Sequence, residues 1–211
     1  MSDVLNSIST VIIAGKRDEI AGLTKDALNQ GLSATDVLYK GLMPGMDHVS
    51  KEFKKGDMFV PEVMRSARTM LNAMEILKPL LIETGTKMVG KVLLGTVKGD
   101  LHDIGKNLVG MMCEGAGFEI RDLGVDVEPD AFVQAVKEFE PDVVGMSALL
   151  TTTMRKMDDT IKAFKEAGVR DVVKVMVGGA PVNQDFADKI GADAYAPDAA
   201  AAADKAKELT G

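Results

Sequence analysis

From the amino terminus to about residue 84, apolar side chains return every three or four positions. The stretch VPEVMRSARTMLNAMEILKPLL shows this most clearly, with Val60, Val63, Met64, Ala67, Met70, Leu71, Met74 and Leu77 on one face. The spacing predicts a long amphipathic helix, with Pro61 in its first turn, where a missing N–H costs nothing. Shorter helices are predicted over 3–14, 17–30 and 34–54, stopped by Gly15, Gly31 and Gly56, with Ser33 as an N-cap. Four helices with short connections suggest a small bundle, because each apolar stripe needs another to cover it.

At Lys91 the period changes. The β-rich runs KVLLGTV, FEIRDLG, DVVGMSA, VVKVMVGG and ADAYAP are each followed by a helical run, from DIGKNLVGMMCEGAG to DAAAAADKAKEL. Five such pairs predict a parallel, doubly wound sheet of the flavodoxin or Rossmann type. The expected fold class is therefore α/β, an amino-terminal four-helix bundle over 1–86 followed by a five-stranded α/β domain over 91–211. ETGTKMVG, with two glycines and little periodicity, places the linker at about 84–90.

Composition narrows the function classes. The 211 residues are 46% apolar, enough for real cores, and carry a formal charge of −7 from 32 acidic and 25 basic residues. No stretch gathers Lys and Arg as a phosphate-tracking surface requires, so nucleic acid is not an expected partner. A single cysteine, Cys113, excludes an internal disulfide framework and fits a reducing compartment. MSDVLNSIST has no basic-then-apolar leader pattern, and no window approaches the roughly 18 uncharged apolar residues of a membrane span. A cytoplasmic protein without membrane contact is expected.

In a doubly wound sheet, ligands sit at the carboxyl ends of the strands, above all where strand order reverses. Three of these loops are unusual: KGDLHDIG after the first strand, SALLTTT after the third and GGAP after the fourth. The first is not the G-x-G-x-x-G of a dinucleotide site. The third strand ends in Ser147, where a phospho-acceptor domain would need an aspartate. His48, His102 and Cys113 show no zinc-ligand spacing, so a metal held through one histidine must bring most of its other ligands, as a macrocycle does. Taken alone, a histidine at a strand-to-helix turn is more often a cap than a ligand; three convergent loops shift that balance.

D-x-H-x-x-G (Asp100, His102, Gly105), S-x-L (Ser147, Leu149) and G-G (Gly178, Gly179) together resemble the cobalamin-binding domain of methionine synthase, base-off mutases and corrinoid methyl-carrier proteins. GDMFVPEVMRSARTM resembles the helical cap of methionine synthase and of the small corrinoid proteins of methylamine, betaine, methanol and methoxyaromatic demethylation. The resemblance implies cobalamin or a related corrinoid, cycling between methylcob(III)alamin and cob(I)alamin, bound base-off with His102 as the lower axial ligand of cobalt. It implies that Asp100 accepts from the histidine, with the Thr153 hydroxyl behind it, and that Asp100 and Thr153 link proton uptake to cobalt oxidation state. Gly99, Leu101, Asp103, Ile104 and Gly105 would surround the ligand. Ser147 and Thr151 would hydrogen-bond the nucleotide tail or corrin, Leu149 and Leu150 would wall the slot, and Gly178 and Gly179 would floor it. Phe59 would shield the upper face, its alternative being an ordinary bundle-core aromatic. The implied function is a methyl shuttle between a substrate methyltransferase, for an amine, betaine, methanol or aryl-ether donor, and an acceptor methyltransferase using tetrahydrofolate or coenzyme M, with a reductive activation protein as a further partner. The chain would not be catalytic alone. Alternatives sharing the motifs are the cobalamin subunit of a radical mutase and a cobalamin-sensing regulator.

Overall fold

The computed structural model describes residues 3–211, which divide into two compact units. The first holds the residues up to Met88 together with Glu114–Gly117; the second holds Val89–Cys113 and Phe118–Gly211.

The first unit is helical: α1 (Asp3–Ala14), α2 (Arg17–Asn29), α3 (Ala34–Val37), α4 (Met43–Lys55) and α5 (Val60–Glu83). Ser33 caps α3 by accepting from the Asp36 N–H, Pro61 lies in the first turn of α5, and Gly15, Gly31 and Gly56 all have positive φ. The predicted 34–54 helix is interrupted by a π-helical segment, Leu38–Leu42, in which the Met43 N–H reaches back five residues to the Leu38 carbonyl. Pro44 supplies a physical reason, because its ring would press on the carbonyl four residues earlier in a regular helix. Gly45 lets α4 close on α1; a Cβ there would lie 2.9 Å from Ile12 Cβ.

The second unit is a parallel sheet of order β2-β1-β3-β4-β5, built from β1 (Lys91–Thr96), β2 (Glu119–Asp122), β3 (Val143–Ser147), β4 (Lys174–Gly178) and β5 (Ala194–Ala196). The crossovers are α6 (Ile104–Gly115), α7 (Pro129–Phe139), α8 (Arg155–Glu166) and α9 (Gln184–Ile190); α10 (Ala199–Thr210) follows β5. Leu93, Val144, Val175 and Val177 pack with Phe132, Phe164 and Ile190 into one core layer. Alternate residues turn to the other face, where Leu94 meets Gly110 of α6. Order reverses between β1 and β3, and their last residues align in one row, Thr96 beside Ser147 beside Gly178 beside Ala196. That row is the edge from which the three unusual loops rise.

Candidate cofactor site

Thr96 ends β1, and its hydroxyl donates to the His102 carbonyl at 2.9 Å, so the loop 97–103 folds back over the strand that launches it. Gly99 permits the reversal with φ +82°, and the Asp100 N–H closes a turn on the Val97 carbonyl. The result places Asp100 fully inside and leaves His102 half in solvent.

Five donors converge on the Asp100 carboxylate. Oδ1 accepts from His102 Nδ1 at 2.7 Å and from the His102 N–H at 3.1 Å. Oδ2 accepts from the Leu149 N–H at 2.7 Å, the Leu150 N–H at 3.3 Å and Thr153 Oγ1 at 2.6 Å. One buried carboxylate thus ties the β1 loop to the β3 loop across the switch point. Burial opposes its ionisation, but the Thr153 hydroxyl, the Leu149 N–H and both His102 donors outweigh that cost and hold the carboxyl well below the usual carboxylate range. An ionised carboxylate can only accept, so His102 Nδ1 carries the hydrogen of that bond and Nε2 is the ring atom turned away from it.

The remaining residues divide by what they do in the fold. Thr153 is buried and also donates to the Leu150 carbonyl; Asp103 accepts from the Asn107 N–H and side chain at the start of α6. Leu101 and Ile104 are 72% and 73% exposed and flank His102; Leu149, Leu150 and Thr151 are exposed on the facing loop. Ser147 lies half-buried in the edge row, next to Gly178. A Cβ on Gly178 would sit 2.9 Å from the Ala196 carbonyl oxygen, and one on Gly179, at φ +126°, only 1.9 Å from that of Ala148. A Cβ on Gly105 would meet nothing within 4 Å. Phe59 belongs to the first unit and is 68% exposed, so it is not a bundle-core aromatic.

His48 is exposed on α4, and burial pushes the Cys113 thiol up to about 12, which keeps that sulfur an unreactive thiol. Among the described residues no three His, Cys, Asp or Glu side chains gather into a metal-binding group. His102 Nε2 is a single nitrogen donor, suited to an ion whose other positions a macrocycle fills. The apolar side chains around it and the side-chain-free edge at Gly178 and Gly179 suit a large, flat, partly apolar ligand; the residues present fit a corrinoid. No helix among the described residues is long and apolar enough to cross a membrane.

The loop between β2 and α7 was not singled out in the sequence. Asp126 accepts from the Gly99 N–H at 2.7 Å, and Asp122 is paired with the buried Lys106 ammonium. Their contacts run to backbone or to a lysine expected at the surface, and composition signals neither.

Comparisons with known proteins bear on the family and the fold. Two family models, both described as B12 binding domain, match residues 90–204 and 4–78. Dimethylamine corrinoid protein 2 of Methanosarcina acetivorans is 44% identical over 208 residues, covering 98% of this chain and 96% of that relative. The crystal structure of a cobalamin-binding protein from Desulfitobacterium hafniense superposes with a TM-score of 0.81 at 33% identity, covering 98% of each chain. The methanol:cobalamin methyltransferase complex of Methanosarcina barkeri gives 0.88 at 31% identity, covering 99% of this chain and 80% of that one. The match to a B12 binding domain over residues 90–204, more than half of the chain, places this chain in the B12-binding domain family.

Proposed function

We propose that this chain is a methyl-carrying corrinoid protein, and that His102 is the lower axial ligand of a base-off, His-on corrinoid. The observation that carries the reading is the Asp100–His102 pair: Nδ1 is held at 2.7 Å by a buried carboxylate, and Nε2 is left open at the switch point of the sheet. Bound there, a corrinoid supplies a cobalt centre that accepts and releases a methyl group.

The chain's own residues do the rest. Asp100, itself held by Thr153, orients the ring of His102 through Nδ1 and would present Nε2 to the metal. Gly99, Leu101, Asp103, Ile104 and Gly105 shape the loop and first helical turn around that nitrogen. Leu149 and Leu150 wall the slot, Ser147 and Thr151 offer hydroxyls to the tail, and Gly178 and Gly179 let it lie against backbone. Phe59, exposed on the helical unit, is assigned to the upper face of the ring. On this reading residues 1–86 are the cap, 91–211 the corrinoid domain, and the setting is cytoplasmic.

On this reading one methyltransferase partner loads the chain and another, using tetrahydrofolate or coenzyme M, unloads it, with a reductive activation protein restoring it. The amine corrinoid relatives and the methanol methyltransferase complex support a small methylated amine or alcohol as the donor. The test is the visible spectrum of the chain reconstituted with hydroxocobalamin, beside His102→Ala. A His-on spectrum that changes in the variant is the expected result. Failure of the wild type to take up corrinoid overturns the whole reading, and identical spectra overturn the axial role.

A further inference from the structure

The Asp100–His102 pair is held from one side by Leu149 and Thr153 of the β3 loop. A second loop, between β2 and α7, holds the same turn from the other side. Asp126 accepts from the Gly99 N–H through Oδ1 at 2.7 Å, and its own N–H donates to the Asp100 carbonyl at 3.0 Å. These two bonds brace residues 99 and 100 about 26 positions away in sequence. The same loop adds the Val127 N–H to the Thr96 carbonyl and receives the Thr96 N–H on the Gly124 carbonyl.

Asp126 is in the left-handed region at φ +55°, where a side-chain-bearing residue is uncommon and aspartate is among those that tolerate it. Lys98 fixes the carboxylate further, lying 3.2 Å from Asp126 and 2.9 Å from Glu128. The Gly99 N–H and the Lys98 ammonium hold the Asp126 carboxyl below its ordinary value, so it is ionised, and a full acceptor, at neutral pH.

We infer that Asp126 is a positioning residue for the axial histidine: its reciprocal bonds with Gly99 and Asp100 set the backbone from which the Asp100 carboxylate reaches His102. The bonds of Asp126 run to Lys98, Gly99 and Asp100 and not to the imidazole, so it acts through the turn. The inference rests on the proposed axial role of His102 for its functional meaning, but its structural content can be tested on the chain alone.

Asp126→Gly keeps the left-handed backbone and the N–H bond to Asp100 and removes only the acceptor; Asp126→Asn keeps an acceptor oxygen and loses the charge. In the unloaded chain, amide hydrogen exchange at Gly99 and His102 reads the turn, because the His102 N–H is bonded to Asp100 Oδ1. Asp126→Gly is expected to speed exchange at both amides at least tenfold, leave exchange in β3 and β4 unchanged, and lower the His-on fraction after loading with hydroxocobalamin. Asp126→Asn is expected to stay within about threefold of wild type in exchange and to restore the His-on spectrum. Unchanged exchange at His102 in Asp126→Gly overturns the inference, as does an Asn variant as impaired as the Gly variant. If the wild type takes up no corrinoid, the axial role fails while the exchange measurement still decides whether Asp126 braces the turn.

Discussion

The helical unit and the sheet unit bury polar groups in different ways. In the first, Thr24 and Thr69 return their hydroxyls to carbonyls four residues back on their own helix, and Ser66 donates to the Ile13 carbonyl. The threonine bonds stay within one helix, and the serine bond joins α5 to α1; all three are between neutral groups. In the second, the charged residues Asp100 and Lys106 are buried six positions apart, one on each side of His102 in sequence, and beyond near neighbours each reaches a distant element, Thr153 of the β3 loop and Asp122 of β2. Burying a charge is costly unless it is paired and hydrogen-bonded, so a fold that buries two beside one half-exposed imidazole has concentrated its electrostatic cost at that point. The bundle is organised by apolar packing, and the sheet edge is organised around holding a ring nitrogen still.

The sharpest way to break the sheet edge is to fill it. Gly179→Ala would put a methyl group into the Ala148 carbonyl at a φ that L-residues avoid, and a loss of about 3 kcal/mol or more is expected by chemical denaturation. Gly105→Ala is the control: with nothing within 4 Å of its Cβ, it should change stability by less than about 1 kcal/mol. If Gly105 lies against the corrinoid, the same variant should still load it at least tenfold less well, separating a glycine needed by the fold from one needed by the ligand.

Asp100→Asn comes next. It turns amide hydrogens toward donors that need an acceptor, and a cost of about 2–4 kcal/mol at pH 7 is expected. The pH dependence follows from the sign of the shift. The folded carboxyl titrates below its ordinary value near 3.8, so its contribution is present above that value and is lost as pH falls toward the folded one. The gap between wild type and Asp100→Asn should therefore be widest near neutrality and shrink below about pH 4 in a thermal melt series. A gap that grows in acid would mean that the carboxylate is not stabilised by its donors.

Much of this was legible in the chain, for physical reasons. The change from a helical to a strand period at Lys91 predicts both halves, because burial on one face forces that pattern whatever the details of packing. The π-helical segment at Leu38–Leu42 was not legible, since apolar spacing runs unbroken through it and the perturbation comes from a proline ring against a carbonyl. The short 3-10 turn Arg170–Val172 was likewise passed over. At the site, His102 stands out only in company with the SALLTTT and GGAP loops, because Asp100 and Thr153, 53 residues apart, meet through the topology and no local pattern announces it. Phe59 was placed by likeness to a cap, and its exposure removes the alternative of a core role. Asp126 and Lys106 had no signal of this kind: one binds backbone, and the other is a lysine whose burial only the fold reveals.

A smaller effect separates the two roles of Thr153, bracing the β3 loop and donating to Asp100. Thr153→Ala should cost about 1–2 kcal/mol, because the buried Oδ2 loses its hydroxyl donor and keeps two backbone ones. Thr153→Ser restores the donor and should recover most of that loss. A serine variant no better than alanine would assign the effect to the lost methyl group and not to the hydroxyl bond with Asp100.

The smallest effect on the fold belongs to the helical unit and tests whether that unit has any share in the chemistry. Phe59 is exposed, and the Glu62 carboxylate accepts from its backbone N–H at 2.9 Å, a bond that any side chain at 59 would keep. Phe59→Ala should therefore shift stability by no more than about 0.5 kcal/mol in either direction. If the ring covers the upper face of the corrinoid, the loaded variant should exchange an upper ligand such as cyanide several times faster than wild type, read in the visible spectrum, while its His-on fraction stays the same. Equal exchange rates would leave Phe59 an exposed aromatic without a share in the site, and would confine the chemistry of this chain to the sheet edge.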